Sequence, residues 1–166
     1  MEGKGDHSHD GTHAHIAATK GDQPVKQRTK GGSGLHVGQD DLPVASVRKL
    51  IGSDKIIGLS THSPEQAHEA ILAGADYIGV GPIFATQTKE DVCAPVGFSY
   101  LEYVAGNLDI PFVAIGGIKC HNLQEVVSRG ARTVCMVTEI VGAGDIGQKI
   151  CEINAQMALS QPGQKT

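Results

Sequence analysis

From Leu35 onward, short apolar runs alternate with stretches whose apolar residues recur at helical spacing. Leu35-His36-Val37 predicts a short strand, and Gly38 to Asp41 a polar turn. Val44, Val47, Leu50 and Ile51 then share one helical face, with Pro43 suited to the first turn and Gly52 to the stop. Lys55 to Ser60 predicts the next strand. Ser63-Pro64-Glu65-Gln66 carries a capping-box pattern, with Ala67, Ala70 and Ile71 on the apolar side of the helix and Gly74 at its end. Tyr77, Ile78 and Val80 read as a buried parallel strand. Phe98, Leu101, Val104 and Ala105 predict a helix beginning near Gly97, and Phe112 to Ile115 another strand. Asn122 with Glu125 predicts a second capping box, with Leu123, Val126 and Val127 inward and Gly130 as the stop. Thr133 to Val137 is expected to be the last strand, with Thr138 after it. Asp145 to about Ala158 is the closing helix, using Ile146, Ile150, Ile153 and Met157.

Repeated βα units with all-apolar strands imply a parallel sheet with helices packed on it. The expected class is therefore α/β, with about five βα units. Such folds place ligands where the strands end. Those places are Asp40 and Asp41, Ser60, Thr86 to Lys89, Gly116-Gly117, and Val137-Thr138, and they are rich in polar residues and glycine. The stretch from Tyr77 to Lys89 ends in two hydroxyls and an ammonium (Thr86, Thr88, Lys89), a loop suited to hold an anion; a plain polar surface loop is the alternative.

Composition narrows the picture. The chain has 166 residues, 40% apolar but only 4% aromatic, so its core rests on Ile, Val, Leu and Ala. Residues 1–34 carry almost no large apolar group and cannot offset their ordering entropy; they are expected to be a disordered His/Gly-rich tail. Its His7, His9, His13 and His15 could chelate Zn²⁺ or Ni²⁺ weakly, or simply be solvated. Residues 159–166 are expected to be disordered as well, leaving one domain over 35–158. A net charge of −4 lacks the basic footprint of a nucleic-acid binder, and no apolar run reaches the ~20 residues of a membrane span. Cys93, Cys120, Cys135 and Cys151 show no Cys-x-x-Cys spacing and read as reduced thiols of a cytoplasmic protein.

The strand-end residues allow a definite chemistry. Gly116-Gly117 and Val137-Thr138 suit a phosphate site built from backbone N–H groups and a helix N-terminus; a tight turn is the alternative. Asp40 and Asp41 offer hard oxygens to Mg²⁺, or one of them caps the following helix. Ser60 could donate to a phosphate oxygen or cap a turn, and Lys89 could neutralise a pyrophosphate or be solvated. His62, His68 and His121 have no evident partners and receive no role. No Ser-His-Asp arrangement, nucleophile elbow or Gly-x-Gly-x-x-Gly after a first strand is present. The inventory fits anion holding and metal-assisted departure of a leaving group.

Residues 35 to about 158 closely resemble the carboxyl-terminal part of thiamine-phosphate synthases. The matching motifs are Leu35-His36-Val37-Gly38-Gln39-Asp40-Asp41-Leu42-Pro43, Ile57-Gly58-Leu59-Ser60-Thr61-His62, Gly74-Ala75-Asp76-Tyr77-Ile78-Gly79-Val80-Gly81-Pro82-Ile83-Phe84, Thr86-Gln87-Thr88-Lys89, and Ala114-Ile115-Gly116-Gly117-Ile118. The resemblance implies a partial (β/α)₈ TIM-type barrel. It implies an Mg²⁺-dependent transferase that joins hydroxymethylpyrimidine diphosphate to thiazole phosphate and releases pyrophosphate. By motif, Asp41 would ligate Mg²⁺, and Ser60 and Lys89 would hold the diphosphate and carry the catalysis. Gln39, Thr86, Gln87 and Thr88 would bind substrate, the last three on the thiazole-phosphate side. Gly117, Val137 and Thr138 would bind the thiazole phosphate or the product phosphate. The sister thiazole tautomerases carry His where this chain has Pro82, which favours the synthase.

The family's first three βα units have no counterpart here, including a Gln-x-Arg-x-Lys diphosphate motif and an Asn-Asp metal pair; Gln27-Arg28-Thr29-Lys30 has the wrong spacing. Residues 35–158 also fall short of the ~200 residues of a complete barrel. The chain is therefore expected to form an open half-barrel with exposed sheet edges and core-facing apolar surface, which self-associates or pairs with a complementing amino-terminal half. The alternatives are an inactive fragment that binds thiazole phosphate or thiamine phosphate without turnover, and a generic phosphate-binding βα module.

Overall fold

The computed structural model describes residues 34–86 and 93–159. The two expected disordered ends lie outside these residues, apart from Gly34 and Leu159, which belong to the first strand and the last helix. In chain order the elements are β1 (Gly34–Val37), α1 (Val44–Ile51), β2 (Ile56–Thr61), α2 (Pro64–Leu72), β3 (Tyr77–Val80), α3 (Gly97–Asn107), β4 (Phe112–Ile115), α4 (Cys120–Ser128), β5 (Val134–Cys135), α5 (Val137–Val141) and α6 (Ile146–Leu159).

The five strands form one sheet in the order β1-β2-β3-β4-β5, all neighbours parallel. Parallel crossovers are right-handed almost without exception. An order that never reverses therefore carries every helix to the same face, as in a βα barrel and unlike a doubly wound sheet. The packing agrees. Val37 and Ile57 meet Val44 and Val47 of α1 in a small cluster. Ile78, Val80, Ala114 and Val134 meet α2, α3, α4 and α6 in the main core. Alternation along the strands sends His36, Gly58, Ser60, Tyr77 and Gly79 to the opposite face. β1 and β5 are the sheet's two edges and do not pair with each other.

Local sequence explains most element boundaries. The Ser63 hydroxyl accepts from the Gln66 N–H (3.3 Å) and Pro64 occupies the first helical position of α2. The Gln66 side chain reaches one residue further back than a capping box would, accepting from the His62 N–H at 2.8 Å. Ile57, Ile78, Leu101 and Leu123 are fully buried, each contributing about 1.5–3 kcal/mol of transfer free energy.

Four expectations need correction. Asn122 is the third residue of α4 and not its cap; the helix begins at Cys120, and the Asn122 side-chain Oδ1 accepts from the Lys119 N–H at 2.8 Å. The last strand is only Val134–Cys135, and Val137 and Thr138 open the short helix α5. The strand expected to end at Ser60 runs one residue further, to Thr61. Leu50, Ile71 and Ile146 are exposed at 74%, 40% and 47%, because Val44, Val47, Ala67, Ala70, Ile153 and Met157 already fill the core-facing stripes of their helices. Among the described residues no helix is long and apolar enough to cross a membrane, and none of the four cysteines forms a disulfide.

Candidate functional site

Polar groups gather in two clusters, one on the helix-free face of the first three strands and one beyond the carboxyl ends of the last two. The first spans β1, β2 and β3. Register places His36 beside Gly58 and Gly58 beside Tyr77, and Ser60 beside Gly79. A Cβ on Gly58 would lie 2.1 Å from Tyr77 Cζ and 2.5 Å from His36 Nδ1. Glycine there lets two rings from non-adjacent strands meet across β2, with centroids 5.4 Å apart. His36 Nδ1 is 2.9 Å from the Tyr77 hydroxyl, and Nε2 is 2.9 Å from Ser60 Oγ. Burial pushes the Tyr77 phenol upward, with nearby Cys135 adding to it, so the phenol keeps its proton at neutral pH.

The turn after β1 closes over the same strand ends. Gln39 Nε2 donates to the Ser60 carbonyl at 2.6 Å, tying that turn to β2. Asp41 Oδ2 accepts from the Gly38 N–H at 2.7 Å. Asp40 and Asp41 are both exposed. Behind Ser60, buried Thr61 donates to the Gly79 carbonyl (2.9 Å) and accepts from the Tyr100 hydroxyl (2.7 Å), fixing the end of β2 to β3 and α3. His62 Nδ1 donates to the Gly81 carbonyl at 2.5 Å, and His68 Nε2 lies 3.0 Å from the Tyr103 hydroxyl, so both have structural partners.

The second cluster lies after β4 and β5. Gly116 and Gly117 have φ of +98° and +64°. A Cβ on Gly116 would lie 2.4 Å from Pro82 Cα, and one on Gly117 2.7 Å from the Ala85 carbonyl oxygen. Only glycine satisfies both the left-handed backbone and this contact with the loop after β3. Asn122 Nδ2 donates to the Gly117 carbonyl (3.1 Å), holding the turn against the start of α4. Lys119 Nζ donates to Thr138 Oγ1 at 2.5 Å and lies 3.8 Å from the Glu139 carboxylate. The Cys120 thiol beside Glu139 holds that carboxylate below the usual range, with Lys119 and Lys149 reinforcing the effect. Burial, then the bond to Glu139, pushes the Cys120 thiol up.

The structure thus brings Gln39 and Ser60 together, and the start of α4 links Gly117, through Asn122, to Thr138, through Lys119. Val137 is 40% exposed at the start of α5. Thr86 is the last described residue of its loop; Gln87, Thr88 and Lys89 lie outside the described residues. Sequence reasoning missed His36, Tyr77 and Lys119. A histidine in an otherwise apolar strand was a visible signal, but its partners are 24 and 41 residues away. Among the described residues no three His, Cys, Asp or Glu side chains converge on a metal position. Asp40 and Asp41 nevertheless suit Mg²⁺, which is commonly held by one or two carboxylates together with water and substrate phosphates.

A sheet wound in one direction, with helices on one face and polar groups at the strand ends, defines a segment of a βα barrel. The chain belongs to the thiamine monophosphate synthase family, which matches residues 27–140. It is 63% identical over 122 residues to a thiamine-phosphate synthase of Pelotomaculum thermopropionicum, covering 74% of this chain and 56% of that one. A thiamine-phosphate synthase of Lawsonia intracellularis is 58% identical over 127 residues, covering 76% and 58%. The solved thiamine phosphate pyrophosphorylase of Pyrococcus furiosus superposes with a TM-score of 0.70 at 30% identity, over 78% of this chain and 61% of that one. The chain therefore spans little more than half the length of these curated relatives.

Proposed function

We propose that this chain supplies the strand-end site of a cytoplasmic thiamine-phosphate synthase, which joins hydroxymethylpyrimidine diphosphate to thiazole phosphate and releases pyrophosphate. The observation that carries this reading is the gathering of Gln39, Ser60, the Gly116-Gly117 turn, the start of α4 and Thr138 along the carboxyl ends of one parallel sheet. Ser60 and Lys89 hold the diphosphate and carry charge that grows on the departing pyrophosphate. Pre-aimed donors of this kind lower the barrier more than a strong base would. Thr86, Gln87 and Thr88 bind on the thiazole-phosphate side, and Gly117, Val137 and Thr138 take its phosphate. Asp41 is the Mg²⁺ ligand of this chain, and Mg²⁺ would neutralise the diphosphate as it leaves.

The chain's coverage of its relatives, 56% and 58%, favours a second element of the proposal. Edge strand β1 and the helix-free sheet face receive further βα units, from a complementing amino-terminal half or a second copy. The test mixes purified chain with both substrates and Mg²⁺ and reads thiamine phosphate by its oxidised fluorescence, with Asp41→Ala as control. Turnover lost in the control supports the synthase. Thiamine-phosphate binding without turnover, restored by adding the amino-terminal half of the Pelotomaculum relative, supports complementation. Absence of binding by any thiazole-linked ligand under both conditions overturns the proposal.

A further inference from the structure

His36 stands between two hydroxyls contributed by different strands, and hydrogen-bond accounting decides which way their protons point. Neutral imidazole has one N–H and one bare nitrogen. In one arrangement Tyr77 O–H donates to Nδ1, and Nε2–H donates to Ser60 Oγ. In the other, Nδ1–H donates to the tyrosine oxygen, and Ser60 donates to Nε2. Among the described residues His36 is the one hydrogen-bond partner of the Tyr77 hydroxyl. The second arrangement would leave a half-buried phenolic O–H with no acceptor, a costly state. The first satisfies it. It also occupies a lone pair of Ser60 while leaving the serine hydrogen unused, since among the described residues the Ser60 hydroxyl has no acceptor besides His36. Gly58 is what permits the geometry, because any Cβ there would overlap both rings.

We propose that His36 is a positioning residue: held by Tyr77 as the Nε2–H tautomer, it turns the Ser60 hydroxyl outward as a donor to a phosphate oxygen. The ligand half of this proposal rests on the diphosphate reading of Ser60 given above. The relay creates a directed donor at the end of β2.

The test has two parts, both on the full chain. Long-range ¹H–¹⁵N spectra of ¹⁵N-histidine-labelled protein should show His36 with Nε2 protonated and Nδ1 bare. Calorimetric titration with pyrophosphate and Mg²⁺ should show about a tenfold loss of affinity in Ser60→Ala and in His36→Ala, and no greater loss in the double variant. His36→Gln places an N–H donor near the Nε2 position and should recover affinity to within about threefold. His36→Asn, of similar polarity but shorter reach, should not. A purely structural histidine would not distinguish these two replacements in affinity. A protonated Nδ1 overturns the relay whatever the binding data show, as does undiminished affinity in His36→Ala. The expected tautomer in a wild-type chain that binds no pyrophosphate overturns the diphosphate assignment and the ligand half of this proposal together.

Discussion

Thr61→Val should destabilise the protein by about 2–3 kcal/mol while leaving its shape almost unchanged. Valine replaces the hydroxyl with a methyl of similar size, so no cavity forms. Two groups lose a partner: the Tyr100 hydroxyl, on a residue 5% exposed, and the Gly79 carbonyl, against a Thr61 that is fully buried. An unsatisfied buried polar group costs about 1–3 kcal/mol, the carbonyl losing less because it has two lone pairs. The added buried methyl offsets roughly 0.8 kcal/mol. Tyr100→Phe leaves Thr61 still donating to Gly79 and should cost only about 0.5–1.5 kcal/mol. With phenylalanine in place, the valine substitution takes a partner from one group instead of two, so the pair should be non-additive by about 1 kcal/mol. Urea unfolding of the four proteins, with m unchanged, measures all of this. A Thr61→Val cost below about 1 kcal/mol, or strict additivity with Tyr100→Phe, would show that the buried hydroxyl pair does not hold the end of β2.

Other substitutions probe the second cluster and the caps. Gly116→Ala forces a Cβ to 2.4 Å from the Pro82 backbone at φ +98° and should cost more than about 3 kcal/mol; Gly144→Ala, with nothing within 4 Å, should change stability by less than about 1 kcal/mol. Similar melting temperatures for the two variants would refute the steric argument. Ser63→Ala removes the α2 cap and should cost about 1 kcal/mol, with Ser63→Asp close to wild type in urea midpoint. Glu139 has a depressed folded pKa, so the folded protein binds fewer protons there than the unfolded chain. Its contribution is present above the ordinary carboxylate range near ~4.3 and is lost as pH falls through the folded value. Glu139→Gln should flatten the fall in stability below about pH 5, and an unchanged slope of urea midpoint against pH would count against the assignment.

Much of this protein was legible along the chain because its signals are local. Ser63-Pro64 starts a helix through bonds within one turn, and Gly52, Gly74 and Gly130 sit where left-handed backbone ends one. Apolar runs around Ile57, Ile78 and Ala114 mark buried parallel strands with no knowledge of their partners. The motifs from Leu35 to Ile118 carry the family, since their residues are contiguous. Other features depended on what packs against what. Ile71 and Ile146 face outward because the sheet accepts only one stripe of each helix, and small Ala67 and Ala70 fit closest. Val137 and Thr138 turn into a helix because the edge strand β5 pairs along only two residues. Asn122 reaches back to Lys119 and Gly117 only once the double-glycine turn has folded against the loop after β3. The meeting of His36, Ser60 and Tyr77 required the register of three strands and the missing side chain of Gly58. Local propensity names the elements, whereas cross-strand contact between residues 24 and 41 positions apart exists only after the sheet has assembled.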